Sequence, residues 1–268
     1  MKLQAALIQM KVVEGKGENL RTAGIMIDQA ASEGARLLVL PEMFNVPYDN
    51  SYFSEYAEEY PGETTEFLKS KAMELDVYIA GGSIPERDKD RIYNTSYVFS
   101  PKGELVGKHR KAHLFDIDVE GGITFKESDV LSPGRESTLF TVDGVKVGLI
   151  ICYDIRFPEF TRKLTLEGAQ VVLVPAAFNM VTGPAHWHLS ARARALDNQV
   201  YMLMCSQSRN MESSYTAYGH SLATGPWGDL VSELDTEEGI LHVTIDTGTI
   251  DKVRNELPLL KHRREELY

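Results

Sequence analysis

Val147-Gly148-Leu149-Ile150-Ile151-Cys152-Tyr153-Asp154-Ile155-Arg156-Phe157-Pro158-Glu159 drives an apolar run into a cysteine, then into a polar turn and a proline suited to the first turn of a helix. Val147–Ile151, bounded by turn chemistry, reads as a strand buried on both faces. A cysteine at the end of such a strand sits at the mouth of a sheet, where open α/β folds place ligands and reactive groups. Cys152 is therefore a candidate nucleophile, and the question is what activates it.

The same grammar continues on both sides. Leu3–Met10 reads as a strand. Glu18–Glu33 reads as a helix with Leu20, Ala23, Ile27, Ala30 and Ala31 on one face and Gly34 as its stop. Leu37–Leu40 is a second buried strand, closed by Pro41-Glu42. Glu63–Leu75 reads as a helix and Val77–Ala80 as a strand entering Gly81-Gly82. Two hairpins are expected, Tyr93–Ser100 with Glu104–Lys108 and Thr138–Val142 with Lys146–Ile151. Phe157–Glu167 (helix), Val171–Val174 (strand), Pro184–Asn198 (helix) and Val200–Ser206 (strand) follow. Gly219–Ala223, Leu230–Leu234 and Ile240–Ile245 read as closing strands, and the charged tail after Pro258 is expected to reach outward. Linkers are short and no fixed-period repeat occurs, so the chain reads as one layered α/β domain.

Composition narrows the function. The chain has 268 residues, of which 43% are hydrophobic and 25% charged, an ordinary globular balance. A net charge of −11 disfavours a nucleic-acid partner, since phosphate binding wants a basic face. No apolar run approaches the roughly 20 residues that span a bilayer, so no membrane partner is expected. The start, Met1–Met10, is too short and interrupted for a signal peptide and reads better as a strand. With two cysteines, Cys152 and Cys205, and no secreted pattern, a reduced cytoplasmic compartment is expected. Asn94-Thr95-Ser96 matches a glycosylation sequon but carries no meaning without secretion.

None of the seven histidines stands at an obvious partner position for Cys152, which leaves a carboxylate or a lysine as base. Glu42 closes a buried strand, and burial there would raise its pKa toward neutrality and suit it to proton transfer. Lys111 follows another strand, in Lys108-His109-Arg110-Lys111-Ala112-His113. A lysine beside a thiol would favour the thiolate and stabilise an oxyanion.

With these residues in view, the chain resembles the nitrilase superfamily of carbon–nitrogen hydrolases. Three signatures stand in family order: Leu40-Pro41-Glu42-Met43-Phe44, Arg110-Lys111-Ala112-His113-Leu114-Phe115, and Ile151 through Glu159. The resemblance is closest to the omega-amidase branch, through Phe44–Tyr48, His113–Asp118, Gly122–Ser128 and Ala177–Trp187. It implies a four-layer α-β-β-α sandwich spanning residues 1–268, with a C-terminal tail from about residue 247 extending toward a partner subunit in a homodimer or larger homo-oligomer. It implies a Glu42, Lys111, Cys152 triad, with Glu127 holding Lys111 charged and positioned and the backbone N–H of Tyr153 meeting the oxyanion. The implied reaction is hydrolysis of a small dicarboxylic acid monoamide, such as α-ketoglutaramate or α-ketosuccinamate, to the acid and ammonia through a thioester. Neither metal nor organic cofactor is implied.

Plainer readings stand beside these. Cys205, in an apolar run, reads as core packing. Arg156 either binds a substrate carboxylate or pairs with Asp154 or Glu159, the local pair being favoured. Tyr48, Phe115 and Phe178 are pocket candidates by adjacency to the motifs, although aromatics more often serve the core. His109 and His113 lack the glutamate of a zinc motif, and His186 and His188 would face different sides of a helix, so neither pair reads as a metal site. Gly15-Lys16-Gly17 and Gly103–Lys108 are too incomplete for nucleotide loops. The rival activities are a deaminated-glutathione amidase, an N-carbamoyl amine amidohydrolase, and a thiol redox protein pairing Cys152 with Cys205.

Overall fold

The computed structural model describes residues 1–267. Its strands in chain order are β1 Lys2–Gln9, β2 Leu37–Val39, β3 Tyr78–Ala80, β4 Ile84–Asp88, β5 Arg91–Phe99, β6 Leu105–Arg110, β7 Asp116–Asp118 and β8 Thr124–Lys126. They continue as β9 Thr138–Val142, β10 Val145–Leu149, β11 Val171–Ala176, β12 Tyr201–Ser206, β13 Leu222–Thr224, β14 Leu230–Glu233 and β15 Gly239–Asp246. The helices are α1 Lys16–Ser32, α2 Asn50–Tyr56, α3 Glu63–Glu74, α4 Pro158–Leu166, α5 Gly183–Asn198 and α6 Thr247–Glu256.

Two sheets share the strands. One runs β15-β1-β2-β3-β5-β4 with β6 also on β5; the other runs β14-β13-β12-β11-β10-β9. Residues of like parity on facing strands, Leu3, Ala5, Leu7, Leu37 and Val39 against Val147, Leu149, Val171, Leu173 and Leu203, form one apolar layer between the sheets. The opposite face of the first sheet packs Ile8, Leu38 and Ile79 on Leu20, Ala23 and Ile27 of α1 and Leu68 of α3. The opposite face of the second packs Val172, Val174 and Met202 on Leu164 of α4 and Trp187 and Ala191 of α5. Strands buried on both faces read as continuous apolar runs, and this is the expected α-β-β-α sandwich.

Ile240–Ile245 is a strand as expected, and β15 lies antiparallel to β1 in the first sheet. Two expectations need correction. Residues 247–256 are not an outstretched tail. They form α6, capped by Asp246 through Gly248 N at 2.9 Å, and bury Ile250 and Val253 against the sandwich. The first of the closing strands starts late, at Leu222, because Gly219 and His220 adopt left-handed backbone that cannot pair as a strand.

Parallel strands β2 and β10 both end on the same kind of feature, a sharp turn delivering a side chain at the C-terminal edge. Beyond β2 the turn holds Met43 at φ 50°, directly after Glu42. It is packed under Gly82, whose φ is +52° and whose place no other residue could take, because a Cβ there would stand 1.9 Å from the Pro41 carbonyl oxygen. Beyond β10, Cys152 itself has φ 46° and opens a short 3-10 turn, Cys152–Arg156, that leads into α4 at Pro158.

Candidate active site

Glu42, Lys111 and Glu127 are fully buried. Lys111 leaves the end of β6, and its Nζ donates to Glu42 Oε1 at 2.9 Å and Glu127 Oε1 at 2.9 Å, with the Tyr48 hydroxyl at 3.3 Å. The ammonium therefore has a fixed direction rather than a swinging one. Glu127 accepts further bonds from Tyr48 Oη at 2.5 Å and Phe115 N at 2.6 Å. Asn94 Nδ2 donates to Glu42 Oε1 at 2.8 Å. Glu42 Oε2 is buried and has no nitrogen or oxygen partner among the described residues, which leaves the carboxylate to interact with the Cys152 thiol. Cys152 is buried too, and its sulfur interacts electrostatically with Glu42 and Lys111 and takes an N–H from Ala177.

The charges divide in a definite way. Burial raises the Glu42 pKa above the usual carboxylate range; Lys111 pulls it back and Glu127 adds to the rise. Burial works against the Lys111 ammonium, but Glu127 and Glu42 outweigh it and lift its pKa well above 10.5. Burial, then the Glu42 charge, push the Cys152 thiol well above 9.0, against Lys111. Lys111 does favour the thiolate, as expected, but burial and Glu42 outweigh it. Lys111 spends its charge on two carboxylates, and an apolar surround favours the neutral thiol. The site thus holds a thiol beside a carboxylate, and the proton must move as the sulfur attacks.

Asp154 ties the cysteine turn to the lysine segment. Fully buried, it accepts from Ile151 N at 3.0 Å, His113 N at 2.9 Å, and sits 2.7 Å from His113 Nδ1 and 3.2 Å from His109 Nε2. Despite burial, the bonds from His109 and His113 hold its pKa far below the usual carboxylate range. A depressed folded-state pKa gives stability that is present above the ordinary carboxylate pKa and lost as pH falls below it. Asp154→Asn turns one acceptor oxygen into a donor facing donors. It should cost about 2–3 kcal/mol at neutral pH, and the gap from the unaltered protein should shrink in acid denaturation series.

Arg156 does not form the favoured local pair. Asp154 is taken by the histidines, and no carboxylate reaches the Arg156 guanidinium among the described residues. Instead it lies over the Phe178 ring at 4.7 Å and Tyr153 at 5.5 Å, with Nη1 2.9 Å from His186 Nδ1. Its Nε is buried and unpartnered. Phe115 stands edge-on to Tyr153 at 5.2 Å, while Phe178 packs on Trp187. The Tyr48 hydroxyl is committed to Glu127, which makes it a support of the charge network rather than a free substrate contact. Tyr153 occupies the first turn of the 3-10 segment, where backbone amides have no intrahelical acceptor.

A family model described as carbon-nitrogen hydrolase matches residues 4–255. The chain belongs to the carbon–nitrogen hydrolases. Omega-amidase NIT2 of Xenopus tropicalis is 48% identical over 267 residues, covering 100% of this chain and 97% of that protein. Omega-amidase NIT2 of Mus musculus is 49% identical over 263 residues, covering 98% and 95%. Saccharomyces cerevisiae Nit3, described as a member of branch 10 of the nitrilase superfamily, superimposes with a TM-score of 0.91 at 43% identity, covering 98% of this chain and 97% of that one. The superfamily and the fold class read from the three motifs are those found, and the hydrolase acts on carbon–nitrogen bonds other than peptide bonds.

Several contributors to this hydrolase's site had no distinct signal in the sequence. Asn94 looked only like a sequon, yet it is fully buried on β5 and holds Glu42. Asp154 was visible inside the nucleophile motif but only as a partner for Arg156. Tyr215, whose hydroxyl donates to Ala177 O at 2.6 Å, comes from a segment with no periodic pattern. Among the described residues no helix is long and apolar enough to cross a membrane.

Proposed function

We propose that this hydrolase cleaves the terminal amide of a small dicarboxylic acid monoamide, α-ketoglutaramate or α-ketosuccinamate, through a thioester on Cys152. One observation carries the reading: a buried thiol interacts with a buried carboxylate and a fixed ammonium, in a chain nearly half identical, end to end, to proteins called omega-amidase. Glu42 takes the thiol proton as sulfur attacks the amide carbon. The Lys111 ammonium and the Tyr153 N–H receive the oxyanion. Glu42 passes its proton to the departing ammonia and then activates the water that opens the thioester. Glu127, Tyr48 and Asn94 keep the charges aligned.

The pH profile follows from the raised Glu42 pKa. Protonated Glu42 cannot accept the thiol proton, so kcat/KM should rise with pH through an apparent pKa above the ordinary 4.5 of a glutamate. A profile flat down to pH 4 would remove Glu42 from the base role.

The distal carboxylate needs a cation or several donors. Arg156, free of carboxylate partners and set over the two rings beside the cysteine turn, supports that role. Arg156→Ala should raise KM for keto-acid monoamides about 10–100-fold with a smaller change in kcat. Simple monoamides lacking the second carboxylate should show no such shift. The deciding assay is ammonia release across an amide panel. Keto-acid monoamides should exceed N-carbamoyl amines and deaminated glutathione by at least about tenfold in kcat/KM; if they are the poorest substrates, the proposal fails.

The redox alternative gains nothing from the position of Cys205. Its thiol donates to Val39 O at 3.2 Å and Ile8 O at 3.4 Å inside the layer between the sheets, a different cluster from that of Cys152. Self-association is part of the proposal. Leu189 and Leu196, seven apart and exposed on one face of α5, and Leu166 at the end of α4 offer an apolar surface for a second copy, testable by sedimentation.

A further inference from the structure

Outside the network of Glu42, Lys111 and Cys152, one cluster of side chains among the described residues has the composition and convergence of a metal centre. His188 comes from α5, His220 from the turn before β13, and Glu233 from the end of β14. Glu233 Oε1 lies 2.6 Å from His188 Nε2 and 3.0 Å from His220 Nδ1. The three candidate ligand atoms all fall within 4.8 Å of one another. We propose that these residues bind one divalent transition-metal ion, with zinc the ion best suited to the donors.

Two imidazoles and one carboxylate are a recurrent zinc set, usually completed by water. Zinc bonds of about 2.0–2.2 Å place tetrahedral ligand atoms some 3.3–3.5 Å apart, so the carboxylate need withdraw by less than about 1 Å. The surroundings limit how far the ligands can stray. Trp187 Nε1 donates to the His220 carbonyl at 2.6 Å, fixing the backbone that carries that ring. The other ring nitrogen of His220, Nε2, faces Asp235 Oδ1 at 4.0 Å. A carboxylate behind a ligating imidazole orients the ring and strengthens it as a donor. The side chains of His188, His220 and Glu233 are 33%, 21% and 25% exposed, so an ion has a way in from solvent.

Two ordinary hydrogen bonds from the imidazoles to one carboxylate are the competing account, and calorimetry separates them. The full chain carrying Cys152→Ala, which removes the competing thiol, is titrated with zinc chloride alone. One equivalent should bind with Kd below about 10 μM, and magnesium, which prefers oxygen ligands, should not bind. Adding His188→Ala should weaken zinc about 100-fold, and adding Glu233→Gln at least about tenfold. Ring signals of both histidines should shift together in NMR spectra on zinc addition, a readout that needs no variant to fold. Absence of binding at 100-fold higher zinc, or binding undiminished in both variants with unmoved histidine signals, would overturn the site. Because the ligands join α5 to β14, bound zinc should also raise the melting temperature of the Cys152→Ala chain and leave that of the His188→Ala double variant unchanged.

Discussion

Cys152→Ala removes amide hydrolysis almost entirely, with turnover down by roughly 10⁵–10⁶, while the fold survives. The substitution takes one sulfur from a buried position, and the Glu42 carboxylate and the Ala177 N–H beside it lose only a weak sulfur partner. Stability should fall by no more than about 1–2 kcal/mol. The informative control is the double variant with Glu42→Gln. A base whose task is to take the thiol proton has nothing to do once the thiol is gone, so the second substitution should add little. Steady-state ammonia release on both variants, with intact-mass detection of a thioester on the unaltered chain, checks this. If Cys152→Ala keeps more than about 1% of the activity, covalent catalysis on this sulfur is wrong.

Lys111→Met gives the second large effect, and it has two parts. Loss of an oxyanion donor should cut kcat about 10²–10³-fold. Removing the cation also leaves Glu42 and Glu127 buried side by side without a counter-charge, at a cost of about 3–5 kcal/mol unless one of them binds a proton. The two parts come apart experimentally. Denaturant titration reads the stability, and kinetics well below the unfolding transition read the chemistry. Adding Glu127→Gln should recover part of the stability, because one of the stranded charges is gone, and none of the activity. If kcat in Lys111→Met stays within about threefold of the parent, the ammonium does not serve the transition state.

Much of this site could be read in advance because two of its three central residues, Glu42 and Cys152, follow elements with a strong pattern. Apolar runs at Leu37–Leu40 and Val147–Ile151 announce strands buried on both faces, and the polar residues that follow them can only emerge at a sheet edge. The supporting residues lack such markers. Asn94 and Asp154 matter through partners 52 and 41 positions away, Glu42 and His113, and no local periodicity encodes that meeting. Tyr48 looked like a pocket aromatic because its hydroxyl bond to Glu127 crosses 79 positions.

The fold shows the same limit. Strand β4, Ile-Pro-Glu-Arg-Asp, contains a proline and three charges and reads as a loop. It survives as a strand because it lies at the edge of its sheet, where a missing donor is tolerated. Helix α2 buries only Phe53, so it presents no apolar stripe to read. Helix α6 did carry a signal, an aspartate cap followed by Ile250 and Val253 three apart, which the overall charge of the segment obscured.

The pairing of β1 with β15 sets a constraint on how the molecule comes into being. Met1 and Thr247 are bonded to one another across a separation of 246 positions. A ribosome delivers the first of these strands long before the last, so β1 must wait with one edge open until β15 has been made. Assembly of this sheet is correspondingly committed to a late step.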